Sequence, residues 1–92
     1  MSYGVRRIHR IEFVQVDSDE WYYRYREGNI TRGTCNFYKE LSKCVEAFMD
    51  ANKGAIWKGA DVDIDPFIRD RTKFFKPDNS ETEKKVREML AI

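Results

Sequence analysis

The chain has 92 residues, of which 41% are hydrophobic and 14% aromatic, so the sequence predicts one globular domain with a modest core and excludes disorder. Seventeen basic and sixteen acidic residues give a net charge of +1, which argues against bulk electrostatic capture of free nucleic acid. Two cysteines and one histidine are too few ligands for a disulfide framework or a zinc site. We therefore expect no metal and no cofactor.

The sequence shows neither a secretory signal pattern nor an apolar run of membrane-spanning length, so a cytoplasmic protein with free thiols is expected. It also contains no nucleophile elbow, no phosphate-cradling glycine loop and no paired-carboxylate motif. These observations predict a protein that is not an enzyme.

The first third of the chain predicts an antiparallel meander of three strands. Residues 5–16 are rich in β-branched and aromatic side chains, but their alternation changes parity near Arg10. Either a bulge or a strand covered on both faces explains this change, and the bulge is the preferred interpretation. After a polar turn, residues 21–27 form the second strand, and a tight turn leads to a short third strand over residues 30–35.

A helix follows the meander. Asn36 is a suitable N-cap and Gly54 a suitable C-terminal cap. Helical spacing places Phe37, Leu41, Cys44, Val45 and Phe48 on one apolar stripe. We expect this helix to lie across one face of the sheet, against Trp21, Tyr23 and Tyr25.

The remaining residues predict a fourth short strand over 55–58 and two short helices. The first helix opens at Asp65-Pro66, and the second extends from Ser80 to Ile92. The predicted fold is therefore α+β, with an antiparallel meander of three to four strands, one helix packed across it and two short C-terminal helices. Residues 1–92 form a single domain, in which 1–54 contain the sheet and main helix and 55–92 a helical extension.

Three alternate aspartates, Asp61, Asp63 and Asp65, imitate the start of a calcium loop. Such a loop requires glycine at its sixth position and glutamate at its twelfth, where this chain has Pro66 and Thr72. We interpret the segment as a solvated acidic turn.

The strand Trp21-Tyr22-Tyr23-Arg24-Tyr25-Arg26 has two different faces, because successive side chains of a strand point to opposite sides. Trp21, Tyr23 and Tyr25 are interpreted as core beneath the helix, although an aromatic sheet face can also stack on RNA bases. Arg24 and Arg26 point the other way, together with Tyr22.

Residues 1–34 contain six arginines and no lysine, and arginine is the residue suited to bidentate contact with carboxylate or phosphate. Pairing within the meander would gather them into one patch, with an ordinary solvated surface as the alternative. The predicted partner-binding residues are Arg6, Arg7, Arg10, Tyr22, Arg24, Arg26 and Arg32.

The span from Glu12 to about Asn52 resembles the YegP-like domain family. The residues that match are the Trp21–Arg26 strand, Asn29 at the turn, Tyr38-Lys39, and Cys44, Val45 and Ala47 in the helix. The resemblance implies a three-stranded sheet with one helix, paired as tandem repeats or dimers, and it implies no activity. The third strand is short here, and residues 55–92 have no counterpart in that family.

The whole chain also resembles, in length and general profile, the small phage-encoded inhibitors of CRISPR surveillance complexes. This resemblance implies a non-catalytic protein in the cytoplasm of a bacterial host. It would occlude a surface of a guide-RNA–protein assembly and block target DNA binding, as a monomer in contact with Cas proteins and guide RNA. The alternatives are a YegP-like homodimer with a structural role and a sheet that binds RNA directly.

Overall fold

The sheet has four strands in the computed structural model, which describes residues 6–34, 36–66 and 80–91. They are β1 (Ile8–Asp17), β2 (Glu20–Glu27), β3 (Ile30–Gly33) and β4 (Asp61–Asp65), in the spatial order β3-β2-β1-β4. Strands β1 to β3 form the predicted antiparallel meander, whereas β4 runs parallel to β1. The α+β fold class is confirmed, but the sheet is mixed and not fully antiparallel.

The predicted bulge in β1 is confirmed. The register between β1 and β2 shifts between Ile8 and Arg10, which leaves His9 as the additional residue. Because of this shift, Ile8 and Ile11 are both buried, although they differ in parity along the chain. The bulge therefore allows β1 to place Ile8, which precedes it, and Ile11, which follows it, in the same core.

The interpretation of residues 61–65 as an acidic turn is wrong, because this segment is the edge strand β4. Val62 is buried and Ile64 partly buried, while the three aspartates between and beside them are exposed. The alternation that imitates a calcium loop is thus the period of a half-buried strand. The strand predicted over 55–58 does not form, since Ile56 makes only a single parallel bridge to the residue before β1.

The first helix, α1 (Leu41–Ala51), begins later than the sequence predicts. Glu40 is its N-cap and the predicted cap Asn36 lies outside it. The reason is that Tyr38 extends the sheet: its backbone donates to and accepts from Trp21, with N···O distances of 2.8 and 2.7 Å. The chain cannot become helical until this pairing ends.

The C-terminal cap predicted at Gly54 is also wrong, because α1 ends at the C-cap Asn52. The second helix, α2 (Ser80–Leu90), confirms the helix predicted near the C-terminus. The short helix predicted to open at Asp65-Pro66 lies outside the described residues after Pro66, and Asp65 itself ends β4. Of the helices that the structure describes, none is long and apolar enough to cross a membrane.

Both helices pack against the same side of the sheet, which we call the inner face. Phe48 of α1 is fully buried and makes edge contacts with the rings of Phe13, Tyr23, Tyr25 and Trp57. The Trp57 indole N–H donates a hydrogen bond of 2.8 Å to the Leu90 carbonyl at the end of α2. The core is formed by Ile8, Ile11, Phe13, Trp21, Tyr23, Tyr25, Cys44, Val45, Phe48, Ala60, Val62, Val86 and Leu90.

Candidate binding face of the sheet

The opposite side of the sheet, which we call the outer face, carries the alternate residues of all four strands. Neither α1 nor α2 packs on it, because both contribute to the core on the inner face. The strand register defines its members: Thr31 and Gly33 on β3, Glu20, Tyr22, Arg24 and Arg26 on β2, Arg10, Glu12, Val14 and Asp17 on β1, and Asp61, Asp63 and Asp65 on β4.

Three arginines form what we call the cationic half of this face. Arg10 lies opposite Arg26, and Arg24 lies opposite Glu12 in the pairing of β1 with β2. All three arginine residues are exposed. Directly opposed like charges are unfavourable in a sheet, so the cationic half needs a carboxylate or a partner nearby.

Glu12 is the carboxylate that organises this half. Its side chain accepts a hydrogen bond of 2.9 Å from Arg10 Nε and another from Arg24 Nε, while Arg10 also pairs with Asp63. Partial burial alone would raise the pKa of Glu12, but the hydrogen bonds from Arg24 and Arg10 outweigh it and lower the pKa below 4.5. Glu12 therefore stays ionised and fixes the planes of two guanidinium groups.

Arg26 differs from its neighbours, because it forms no ion pair with any residue that the structure describes. It lines a shallow depression of about 380 Å³ on this face. The depression is lined by Arg10, Glu12, Arg24, Tyr25, Arg26 and Thr31. Three guanidinium groups around one carboxylate leave this depression locally cationic and able to accept an anionic group.

An aromatic corner, formed by Val14, Tyr22 and Phe37, borders the cationic half. Phe37 is 56% exposed, so its predicted place on the apolar stripe of the helix is wrong. Its ring meets the predicted contact residue Tyr22 edge-on, with 6.2 Å between ring centroids and 88° between planes. The corner thus presents a large apolar side chain to solvent beside the arginines.

The remaining predicted arginines lie elsewhere. Arg6 donates to Glu27 Oε1 at 2.7 and 2.9 Å and to Asn52 Oδ1 at 2.8 Å, which links it to the end of α1 on the inner side. Arg32 pairs with Tyr25 in the register and so belongs to the inner face, at its β3 edge. Arg7 is exposed just before β1. The structure therefore does not bring the six arginines into one patch.

The three aromatic residues on the inner side of β2 are core residues, as predicted. Trp21, Tyr23 and Tyr25 are only 8%, 6% and 9% exposed. The rings of Tyr23 and Tyr25 contact Phe48 of α1, and none of the three buried rings can stack on bases without unpacking the core.

Two potentially reactive side chains that the structure describes are Cys44 and His9. Burial raises the pKa of the Cys44 thiol to about 12, so this thiol remains protonated at neutral pH. His9 Nε2 lies 3.0 Å from the Gly28 carbonyl oxygen and can donate to it. Among the described residues, no group of three or more His, Cys, Asp or Glu side chains is arranged to hold a metal ion, and this includes the β4 aspartates.

The sequence analysis missed three components of this face, which are the aspartates of β4, Glu12 and Phe37. The alternation of residues 61–65 was sufficient to predict a strand, and the shared parity of Arg10 and Glu12 was sufficient to place both on one face of β1. Neither pattern shows that β4 pairs with β1. Phe37 gave no comparable signal, since its spacing fits the helix stripe.

No protein-family model matches this chain, and neither a curated protein nor a solved structure matches it.

Proposed function

We propose that this protein is a non-catalytic inhibitor that occludes a surface of a CRISPR guide-RNA–protein surveillance complex and blocks target DNA binding. The outer face of the sheet is its contact surface. Arg10, Arg24, Arg26 and Tyr22 are the contact residues from the sequence prediction, and Phe37 is added to them.

The observation that supports a binding role is the exposed Phe37 against Tyr22, next to arginines held in place by Glu12. Aromatic and arginine side chains dominate the energetic centres of protein interfaces. Pairing with Glu12 fixes Arg10 and Arg24 before binding, which reduces the entropy lost when a partner is engaged. The choice of partner follows from the resemblance of the whole chain to CRISPR inhibitors.

A role without catalysis is supported in this proposal by the state of Cys44 and His9, two candidate reactive groups within the described residues. Cys44 is buried and protonated, and His9 is engaged with a backbone carbonyl. A binding function requires neither group.

The experiment is affinity capture of the protein from a bacterial lysate that contains a type I CRISPR surveillance complex, with and without RNase. Wild-type protein should recover the Cas proteins with their guide RNA. The Arg24→Ala/Arg26→Ala double variant should bind at least about tenfold more weakly, as expected when hot-spot residues are truncated. Its melting temperature should stay nearly unchanged, because exposed ion pairs contribute at most about 1 kcal/mol.

The matched control is Lys53→Ala/Lys58→Ala, which removes the same charge from exposed positions after α1. This variant should be captured as well as the wild type. Equal capture of all three proteins would overturn the assignment of the outer face, and failure of the wild type to recover any Cas protein would overturn the choice of partner.

A homodimer of the YegP-like type is the second candidate, and the edge strand β3 favours it. All four of its residues are exposed, with Ile30 54% exposed, and no other described strand pairs with its outer edge, so this edge can pair with β3 of a second copy. Sedimentation distinguishes the two functions: a stable dimer supports this second candidate, and a monomer at micromolar concentration contradicts it.

A further inference from the structure

The β4 aspartates lie beside the cationic half of the outer face, and the sequence analysis gave them no function. In the parallel register Arg10 pairs with Asp61, Glu12 with Asp63 and Val14 with Asp65. We call these three aspartates the acidic strand. Two strand spacings separate β2 from β4, so the Cα atoms of Arg26 and Asp61 are about 10 Å apart across the sheet.

The acidic strand changes the charge of the face as a whole. Three guanidinium groups on the outer face are accompanied by six carboxylates, those of Glu12, Asp17, Glu20 and the acidic strand, which gives a formal charge of −3. Asp63 is paired with Arg10, whereas Asp61 and Asp65 form no ion pair within the part of the chain that the structure describes. Their carboxylates are exposed and remain available to act on a partner.

A phosphate backbone fits such a face poorly. A polyanion over Arg24 and Arg26 comes within about 10 Å of the acidic strand, which is roughly the Debye length at 0.1 M salt. The carboxylates then repel the neighbouring phosphates. A protein surface that places an acidic side chain over the arginines and a basic one over the aspartates is attracted both by the cationic half and by the acidic strand.

We propose that the outer face selects a protein surface carrying an acidic and a basic group side by side, and that Asp61 and Asp65 determine this specificity by repelling phosphate backbones. This rests on the proposed function in taking the outer face as the contact surface. Within a surveillance complex, the contact is then with a Cas protein and not with the guide RNA.

The first test uses a fluorescent uridine RNA of roughly 20 nucleotides at low salt, where phosphate contacts are strongest. The Asp61→Asn/Asp65→Asn variant should bind this RNA at least about tenfold more tightly than the wild type, and Arg24→Ala/Arg26→Ala added to it should abolish the gain. The matched control, Glu46→Gln/Asp50→Asn on α1, changes the net charge equally and should gain little. An equal gain in the control, no gain at all, or tight binding by the wild type would overturn the proposal.

The second test uses the surveillance complex. Replacing Asp61 and Asp65 by asparagine should weaken capture about tenfold if a basic group of a protein faces them, and should strengthen it if phosphate does. The second result overturns the proposal. If the wild type captures no complex, the proposed function fails, and the RNA measurement still decides whether the acidic strand excludes nucleic acid.

Discussion

The two faces of the sheet are built from the same strands and differ in what holds their side chains. On the inner face Trp21, Tyr23 and Tyr25 are buried in the core, and the rings of Tyr23 and Tyr25 contact Phe48 of α1. On the outer face Tyr22, Arg24 and Arg26 alternate with them: Arg24 pairs with Glu12, Arg26 is exposed, and Tyr22 meets the exposed ring of Phe37.

This difference separates stability from binding within one strand. Burial of apolar area stabilises the fold, and the inner face contains nearly all of it. Exposed ion pairs add little stability, but they fix the directions of charged groups. Substitutions on the inner face should therefore lower stability, and substitutions on the outer face should weaken binding with little loss of stability. The following measurements test this difference.

The largest effect is expected from Phe48→Ala on the inner face. Phe48 is fully buried among four other rings, so the substitution should lower the free energy of unfolding by about 3–5 kcal/mol. Urea denaturation followed by tryptophan fluorescence measures the change.

Phe37→Ala is the matched control, because it removes the same ring from the aromatic corner. Phe37 is 56% exposed, so the loss of unfolding free energy should be about 0.5 kcal/mol or less. If the two variants lose similar amounts, the aromatic corner is part of the core and the contrast between the faces is wrong.

An intermediate effect is expected at Gly33, where the backbone of β3 packs closely against β2. A methyl group on Gly33 would lie 2.9 Å from the carbonyl oxygen of Tyr23, a backbone atom that cannot move without disturbing the sheet. Gly33→Ala should therefore cost about 1–3 kcal/mol in thermal or urea unfolding. Gly54→Ala, which meets no atom within 4 Å, should be neutral or slightly stabilising. Comparable losses in both variants would contradict the role of close packing at Gly33.

The sequence pattern was sufficient to predict which residues of β1 and β2 form the inner face, but it was insufficient to predict the composition of the outer face. Alternation in β2 correctly assigned its three aromatics to the core, and the parity change in β1 correctly predicted the bulge. Both signals are local, because burial imposes a period on the residues of a single element.

The outer face depends on which strands become neighbours, and local patterns do not contain that information. The pairing of β4 with β1 places Asp63 beside Arg10, although 53 residues separate them. The pairing of Tyr38 with Trp21 exposes Phe37, although its spacing fits the helix. A sequence interpretation that treats charges as independent surface groups therefore misses both the acidic strand and the aromatic corner.

The smallest effect concerns the contribution to stability of two ion-paired carboxylates, Glu12 on the outer face and Glu27 on the inner side, and it depends on pH. Hydrogen bonds from Arg24 and Arg10 prevail over partial burial and hold the pKa of Glu12 below 4.5, and the hydrogen bond from Arg6 does the same for the pKa of Glu27. Because both values are lower in the folded protein than in the unfolded chain, the unfolded chain takes up these protons first as the pH falls. The resulting stabilisation is complete above pH 4.5 and is lost as the pH falls through the folded-state values.

Urea unfolding at a series of pH values from 7 to 3 measures this dependence for the wild type and for Glu12→Gln. The variant lacks one of the two carboxylates, so its unfolding free energy should fall less steeply below pH 4.5. Glu46→Gln is the control, since this carboxylate only approaches Lys43 Nζ at 3.7 Å, and its curve should run parallel to that of the wild type. If Glu12→Gln also runs parallel to the wild type, the charged network of the outer face orients its arginines without stabilising the fold. The separation of the two faces would then be complete.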